Sequence, residues 1–243
     1  MDTEQLFEEI AGIMNSLENG AFNQHLFKFG KRIFKELIKR GEFDGPNFWE
    51  IEAAIKEEID EEFFSFNGIY HVYLAGEQKV TSLIPQLTEL LTRVEEDFLL
   101  EEVMDALIKI GTPEVIPAVE KYVTNDDSSM FAINVLENIK HPAAEEMLLH
   151  HLEQTTDKSS KTLIGEALCR QLPTKAIPKV AALIEEGYDE KLLDLKEPLY
   201  GNCVINGVDH PNHRNGKKNY WKKMLIGMNN RRKEPDETRN AWV

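Results

Sequence analysis

The segment ALIKIGTPEVIPAVEKYV, residues 106–123, contains two apolar stretches separated by Gly-Thr-Pro. Glycine commonly ends a helix and proline is tolerated in the first turn of the next one, so the segment predicts two helices joined by a tight turn. Its Ile-Pro pair recurs in SLIPQLTELL from Ser82 and in KAIPKVAALI from Lys175. A copy without the proline, EEMLLHHLEQ, begins at Glu145. The segment is therefore one unit of an internal repeat.

The repeat is regular in both length and pattern. Its anchor positions are Pro85, Pro117, Met147 and Pro178, separated by 32, 30 and 31 residues. Two apolar columns, three positions apart, occur in all four copies: Leu87, Val119, Leu149 and Val180, then Leu90, Tyr122, Leu152 and Leu183. A spacing of three places both columns on one helical face, so each copy contains one packing helix.

A second amphipathic segment precedes each anchor. Its apolar positions are Ile69, Val72 and Tyr73, then Val103, Ala106, Leu107 and Ile110, then Ala132, Val135, Leu136 and Ile139, then Ile164, Ala167 and Leu168. In the first copy the fourth apolar position is taken by Gly76. Each unit is thus predicted to be a helical hairpin, which must stack on its neighbours because it cannot bury its apolar face alone.

The pattern resembles the short HEAT-like repeats of phycobilisome-lyase-type and many other bacterial proteins, over about residues 62–187. The resemblance implies an all-α fold, an α-solenoid of about four HEAT-like hairpins, and usually a protein-binding surface, but not a reaction. We expect an N-terminal helical cap at 1–62, repeats at 63–190, a small irregular C-terminal cap at 191–228 and a mobile tail at 229–243.

The two predicted caps have different local patterns. Residues 1–62 predict three helices, at 3–17, 22–40 and 46–62. The packing side of the second is expected to consist of Phe22, Leu26, Phe29, Ile33, Phe34 and Leu37. The segment LYGNCVINGV, residues 199–208, mixes apolar residues with turn formers and predicts a short strand or an irregular packing segment.

Charge divides the chain unevenly. Residues 1–208 carry 19 basic and 39 acidic side chains, a net charge of −20, whereas residues 209–243 carry 9 and 4, a net charge of +5. An acidic body repels polyanions and argues against a large nucleic-acid interface, but it attracts a basic protein. The acidic runs at 57–62 and 95–102 are interpreted as solvated surface. The acidic start lacks the features of a signal peptide and no apolar run could span a membrane, so we expect a cytoplasmic protein.

Six polar positions of the second helices form a candidate partner-binding ladder. They are Thr88, Glu89, Glu120, Lys121, His150 and His151. The second helix of each hairpin lines the concave face in solenoids, which is the face that commonly binds other proteins.

The C-terminal segment carries a basic rim and three weak candidates for metal ligands. The rim consists of Arg214, Lys217, Lys218, Lys222 and Lys223. The sequence Asp209-His210 resembles the first half of an HNH nuclease motif, but no histidine follows His213, so the second half is absent. Cys203, His210 and His213 could supply three zinc ligands, with a fourth required from elsewhere. The alternative interpretation is a C-terminal cap whose lysines face outward.

No catalytic residue and no cofactor is predicted. The chain has no phosphate-binding glycine loop and no nucleophile elbow, and Cys169 lies on the apolar side of a repeat helix. We expect a non-enzymatic module that binds a protein partner of basic character, in the manner of immunity or antitoxin-like proteins.

Two alternatives stay open. One is a HEAT-like enzyme of the tetrapyrrole-lyase or DNA-base-glycosylase type; the glycosylases use a cationic face with aromatic residues, whereas Trp49, Trp221 and Trp242 lie outside the repeats. The other is contact with metal or nucleic acid through the basic C-terminal segment.

Overall fold

The computed structural model describes residues 1–20, 22–43, 48–124 and 127–209. Within these ranges the chain forms twelve α-helices and short 3-10 turns, with no β-strand, which confirms the all-α prediction. The helices are α1 (Thr3–Asn19), α2 (Gln24–Lys39), α3 (Phe48–Glu58), α4 (Phe66–Glu77), α5 (Ile84–Glu89), α6 (Asp97–Ile110), α7 (Val115–Val119), α8 (Ser129–Asn138), α9 (Pro142–Gln154), α10 (Lys158–Gln171), α11 (Ala176–Glu186) and α12 (Lys196–Asn206).

The chain divides into two compact units, Met1–Ala144 and Glu145–Val243. The first unit contains α1 to α8, and the second contains α10 to α12. Among the helices in the described ranges, none combines the length and the apolar character that crossing a bilayer requires.

The predicted helical segments of the four repeats are all present. The first segments correspond to α4, α6, α8 and α10, and the second segments to α5, α7, α9 and α11. Every residue of the two apolar columns is buried. The Gly-Thr-Pro turn behaves as predicted, because Gly111 ends α6 in the left-handed conformation at φ 61°. The local periodicity of the sequence therefore identifies both the helices and the faces that they bury.

In the first unit, corresponding helices of successive repeats pack together. α4 contacts α6 and α6 contacts α8, while α5 contacts α7. The approach of α4 to α6 is closest at Gly76, where an added Cβ would lie 2.6 Å from the Ala106 Cα. Backbone cannot move aside as a flexible side chain can, which explains why glycine occupies an expected apolar position.

The three predicted N-terminal helices are confirmed, but the packing side of α2 differs from the prediction. The buried residues of α2 are Phe27, Gly30, Ile33, Phe34 and Leu37. Phe22 and Phe29, which were expected to pack, are 37% and 39% exposed. The side that faces α4 is centred on Phe27 and Gly30, because the Tyr70 ring stacks on Phe27 at 5.0 Å and its hydroxyl donates to the Phe27 carbonyl.

The prediction of a strand or an irregular segment at residues 199–208 is wrong, since α12 covers most of these residues. α12 contacts α10 and α11, and Leu199, Asn202 and Cys203 are its buried residues. Gly207 ends the helix in the left-handed conformation at φ 64°. Tertiary packing has overridden the weak helix propensity of a segment rich in glycine, asparagine and β-branched residues.

Candidate functional site

The predicted partner-binding ladder is only partly at the surface. Glu89, Glu120, Lys121 and His150 are exposed. Thr88 is buried, and its hydroxyl donates to the Pro85 carbonyl at 2.9 Å. His151 is also buried, with its ring 5.6 Å from that of His150. Thr88 and His151 are therefore largely removed from the surface, whereas the other four positions are exposed and can contact a partner.

The described part of the predicted metal site consists of Cys203 alone. This thiol is buried in α12, and burial raises its pKa above the usual range, which disfavours the thiolate that binds zinc. His210 and His213 lie outside the described residues. Within the ranges that the structure covers, no three histidine, cysteine or carboxylate side chains come together as a metal site. All five residues of the basic rim, Arg214, Lys217, Lys218, Lys222 and Lys223, also lie outside the described residues.

The acidic runs are not uniformly solvated, contrary to the sequence interpretation. Glu58 accepts hydrogen bonds from the Ser65 amide at 2.8 Å and the Ser65 hydroxyl at 2.6 Å. Glu96 accepts from the Phe64 amide at 2.9 Å. These two carboxylates satisfy backbone donors that would otherwise be unpaired just before α4, so they have a structural role.

Glu102 departs furthest from the predicted surface position, because it is only 3% exposed. It forms an ion pair with Lys31 of α2, whose ammonium also lies 5.1 Å from the centre of the Tyr73 ring. Burial raises the pKa of Glu102, and the neighbouring Lys31 opposes that rise. A buried carboxylate of this kind needs its partner, because an unpaired charge in the interior is strongly destabilising.

An open aromatic groove of about 290 Å³ lies where α4 and α6 begin. We call it the aromatic groove; it is lined by Phe64, Phe66, Ile69, Glu95, Glu96, Asp97, Phe98 and Leu99. Phe22, which precedes α2, adds a further ring. Its centroid is 3.9 Å from that of Phe98 and 5.8 Å from that of Phe66, with which it is stacked. Phe98 is 40% exposed, so rings of this cluster are open to solvent.

Local hydrogen bonds hold the two sides of the groove in place. Ser65 begins α4 by accepting a hydrogen bond from the Gly68 amide, and the Glu18 carboxylate accepts from the Phe66 amide. Arg93 fixes the other side, because its guanidinium lies 3.1 Å from Glu96 and 5.7 Å from the centre of the Phe64 ring. Both side chains of this pair are mostly buried, so the groove has a preformed wall.

The carboxylates at the groove differ in whether their charge is compensated. Glu96 is neutralised by Arg93 and by a backbone amide. Glu95 and Asp97 are exposed, and within the described residues neither carboxylate has an ion pair or a hydrogen bond. Glu101, one turn further along α6, is also exposed and has no such partner there. The surface beside the exposed rings therefore carries uncompensated negative charge.

The sequence contained a signal for this groove that the repeat pattern concealed. Two acidic residues followed by phenylalanine occur just before α4, in EEFF at residues 61–64, and three acidic residues followed by phenylalanine occur at the start of α6, in EEDF at residues 95–98. The two motifs occupy corresponding places in successive repeats. Phe64 and Phe98 recur outside the two helical columns and both line the groove, although Phe64 is buried and Phe98 is exposed.

Comparison with known proteins identifies no relative: no family model, curated protein or solved structure matches the chain.

Proposed function

We propose that the chain is a non-enzymatic protein-binding module and that its partner is a basic protein. The observation that carries the proposal is the aromatic groove, in which exposed phenylalanine rings adjoin uncompensated carboxylates. Clustered apolar side chains at a protein surface commonly mark an interaction site. Aromatic residues at the centre and polar residues at the rim are typical of protein interfaces.

The sign of the charge indicates the class of partner. Glu95, Asp97 and Glu101 add negative charge beside the groove, in a body whose first 208 residues carry a net charge of −20. A basic partner would be attracted over a distance and oriented on approach, whereas a nucleic acid would be repelled.

We further propose that the hairpins stack as a HEAT-like α-solenoid. The regular repeat length and the contacts of α4 with α6, α6 with α8 and α5 with α7 support this arrangement. Glu89, Glu120 and Lys121 are exposed on or just after the second helices, so they form a second candidate contact surface. By analogy with immunity and antitoxin-like proteins, we propose that the basic partner is a toxin and that the chain binds it in the cytoplasm.

Affinity capture followed by titration of each captured protein tests the proposal. We expect a basic protein to bind the wild type and to bind Phe98→Asp about tenfold more weakly, the effect of losing an aromatic anchor. Phe29→Asp is the matched control, because Phe29 is equally exposed but lies outside the groove lining. The proposal fails if purified partners bind the wild type and Phe98→Asp equally, or if no basic protein binds the wild type directly.

A further inference from the structure

We infer that the aromatic groove recognises arginine, rather than lysine, in the basic segment of its partner. The inference rests on the proposed function and names the side chain that the groove selects. Three properties of the groove lead to it: the flat exposed rings, the unpaired carboxylates beside them, and the limited volume between α4 and α6.

The exposed rings favour a planar cation. Phe22 and Phe98 are in contact, with ring centroids 3.9 Å apart, and they remain 37% and 40% exposed, so a guanidinium can reach the exposed part of these aromatic side chains. A guanidinium group stacks on such a face and is weakly hydrated, whereas an ammonium group at an open surface keeps its water.

The carboxylates provide the second half of the recognition. Asp97 lies next to Phe98 in the chain, and Glu95 lines the same groove. Arginine presents its donors in a fixed fork that can pair with a carboxylate through two hydrogen bonds while its plane rests on a ring. Lysine lacks this geometry and interacts with the same carboxylates as a point charge.

The protein already uses this combination in the wall of the groove. The Arg93 guanidinium lies over the Phe64 ring and pairs with Glu96. Two lysines, Lys31 and Lys109, also lie over the Tyr73 ring beside a carboxylate, but Tyr73 does not line the groove. The arginine example is the one that adjoins the groove.

The volume limits what else can enter. About 290 Å³ lies at the lower limit of small-molecule pockets, and is enough for one or two side chains. Ile69 and Leu99 supply apolar lining beside the rings. The groove therefore suits an arginine next to one apolar residue in an extended or helical segment, rather than a cofactor.

Three synthetic peptides test the inference. They share one short polar sequence with a single leucine and carry, at the same two positions, arginine, lysine or the neutral arginine analogue citrulline. Fluorescence anisotropy of labelled peptides against the full chain measures binding. We expect the arginine peptide to bind about fivefold more tightly than the lysine peptide, the size of one added stacking contact, and the citrulline peptide to bind most weakly.

Two variants identify which part of the groove provides the selectivity. Phe98→Leu keeps an apolar side chain but removes the π face, so we expect the arginine and lysine peptides to bind it with nearly equal affinity. Asp97→Asn should weaken the binding of both the arginine and the lysine peptide several-fold, because it removes a negative charge beside the rings. Phe29→Leu, at an equally exposed ring outside the groove lining, should leave the affinity for all three peptides unchanged.

The outcomes separate the inference from the proposed function. Equal binding of the arginine and lysine peptides by the wild type overturns the arginine inference, as does an arginine preference that survives in Phe98→Leu. Absence of peptide binding also overturns it, whereas the proposed function stands or falls on whether a purified basic partner depends on Phe98.

Discussion

The acidic run at residues 95–102 contains carboxylates in two opposite environments. Glu102 is buried and paired with Lys31, whereas Glu95 and Asp97 are exposed beside the aromatic groove and have no partner among the described residues. Removing a carboxylate from water is costly, so the buried one is retained only where a cation faces it. The exposed ones need no partner to be tolerated, and their charge is therefore available to a ligand.

One run of like charges can therefore have both a structural and a binding role. The Lys31–Glu102 pair joins α2 to α6 within the first unit. The same helix, α6, begins at the aromatic groove. A substitution at the buried carboxylate should therefore act on stability, and one at the groove on binding.

Breaking the buried pair should have the largest effect. Lys31→Met leaves the buried Glu102 without its ion-pair partner, so we expect the free energy of unfolding to fall by about 3–5 kcal/mol. Urea unfolding followed by circular dichroism measures the change. Lys28→Met, at an exposed lysine of the same helix, is the control and should change stability by less than about 0.5 kcal/mol. Equal effects of the two substitutions would show that the buried pair is not important for stability.

Separating α4 from α6 should have a smaller effect. Gly76→Ala introduces a methyl group against the Ala106 backbone, so we expect a loss of about 1–3 kcal/mol from overpacking. Gly12→Ala is the matched control in α1, where an added Cβ meets no atom within 4 Å. Since alanine favours helix there, a gain of about 0.5–1 kcal/mol is expected. Thermal unfolding of the two variants measures both changes. The close approach of α4 to α6 at Gly76 would be contradicted if Gly76→Ala were also stabilising.

The protonation of Glu102 makes the stability of the folded chain depend on pH. Its pKa is raised above the ordinary 4.5 in the folded state, chiefly by burial, so the folded chain retains a proton that the unfolded chain releases. The stabilisation that this retained proton provides is fully present below pH 4.5 and is lost as the pH rises through the folded-state pKa of Glu102.

Glu102→Gln should remove that part of the pH dependence. The amide can still accept a hydrogen bond from Lys31, so we expect a loss of about 1 kcal/mol of stability at low pH. Urea midpoints measured from acid to neutral pH should fall less with rising pH in the variant than in the wild type. Parallel curves of urea midpoint against pH for the wild type and the variant would indicate that Glu102 has the same pKa in the folded and the unfolded state.

The groove carboxylates should have the smallest effect on stability. Asp97→Asn combined with Glu95→Gln is expected to change the free energy of unfolding by less than about 0.5 kcal/mol, because both side chains are exposed and unpaired. Binding of a basic peptide should nevertheless fall several-fold, measured by anisotropy at low salt. A large loss of stability in this variant would mean that these carboxylates are structural, like Glu102.

The repeat pattern alone predicted the four pairs of helical segments and the two apolar columns, all of which are buried. It succeeded because helical periodicity is a local property, and a stripe of apolar residues at that period has to be covered by another element. The same pattern could not separate Phe22 and Phe29 from the buried residues of α2, because the covered side depends on where α4 lies.

The all-α class, the repeat length and the Gly-Thr-Pro turn follow from the sequence alone, since each depends on neighbouring residues. Three other features result from tertiary packing: residues 196–206 form a helix, Glu102 is buried against Lys31, and Phe22 and Phe98 meet at the surface. These features bring together residues that are distant in the chain or depend on packing against other helices. No local pattern specifies such contacts, because their free energy arises from burial and charge pairing in the folded chain.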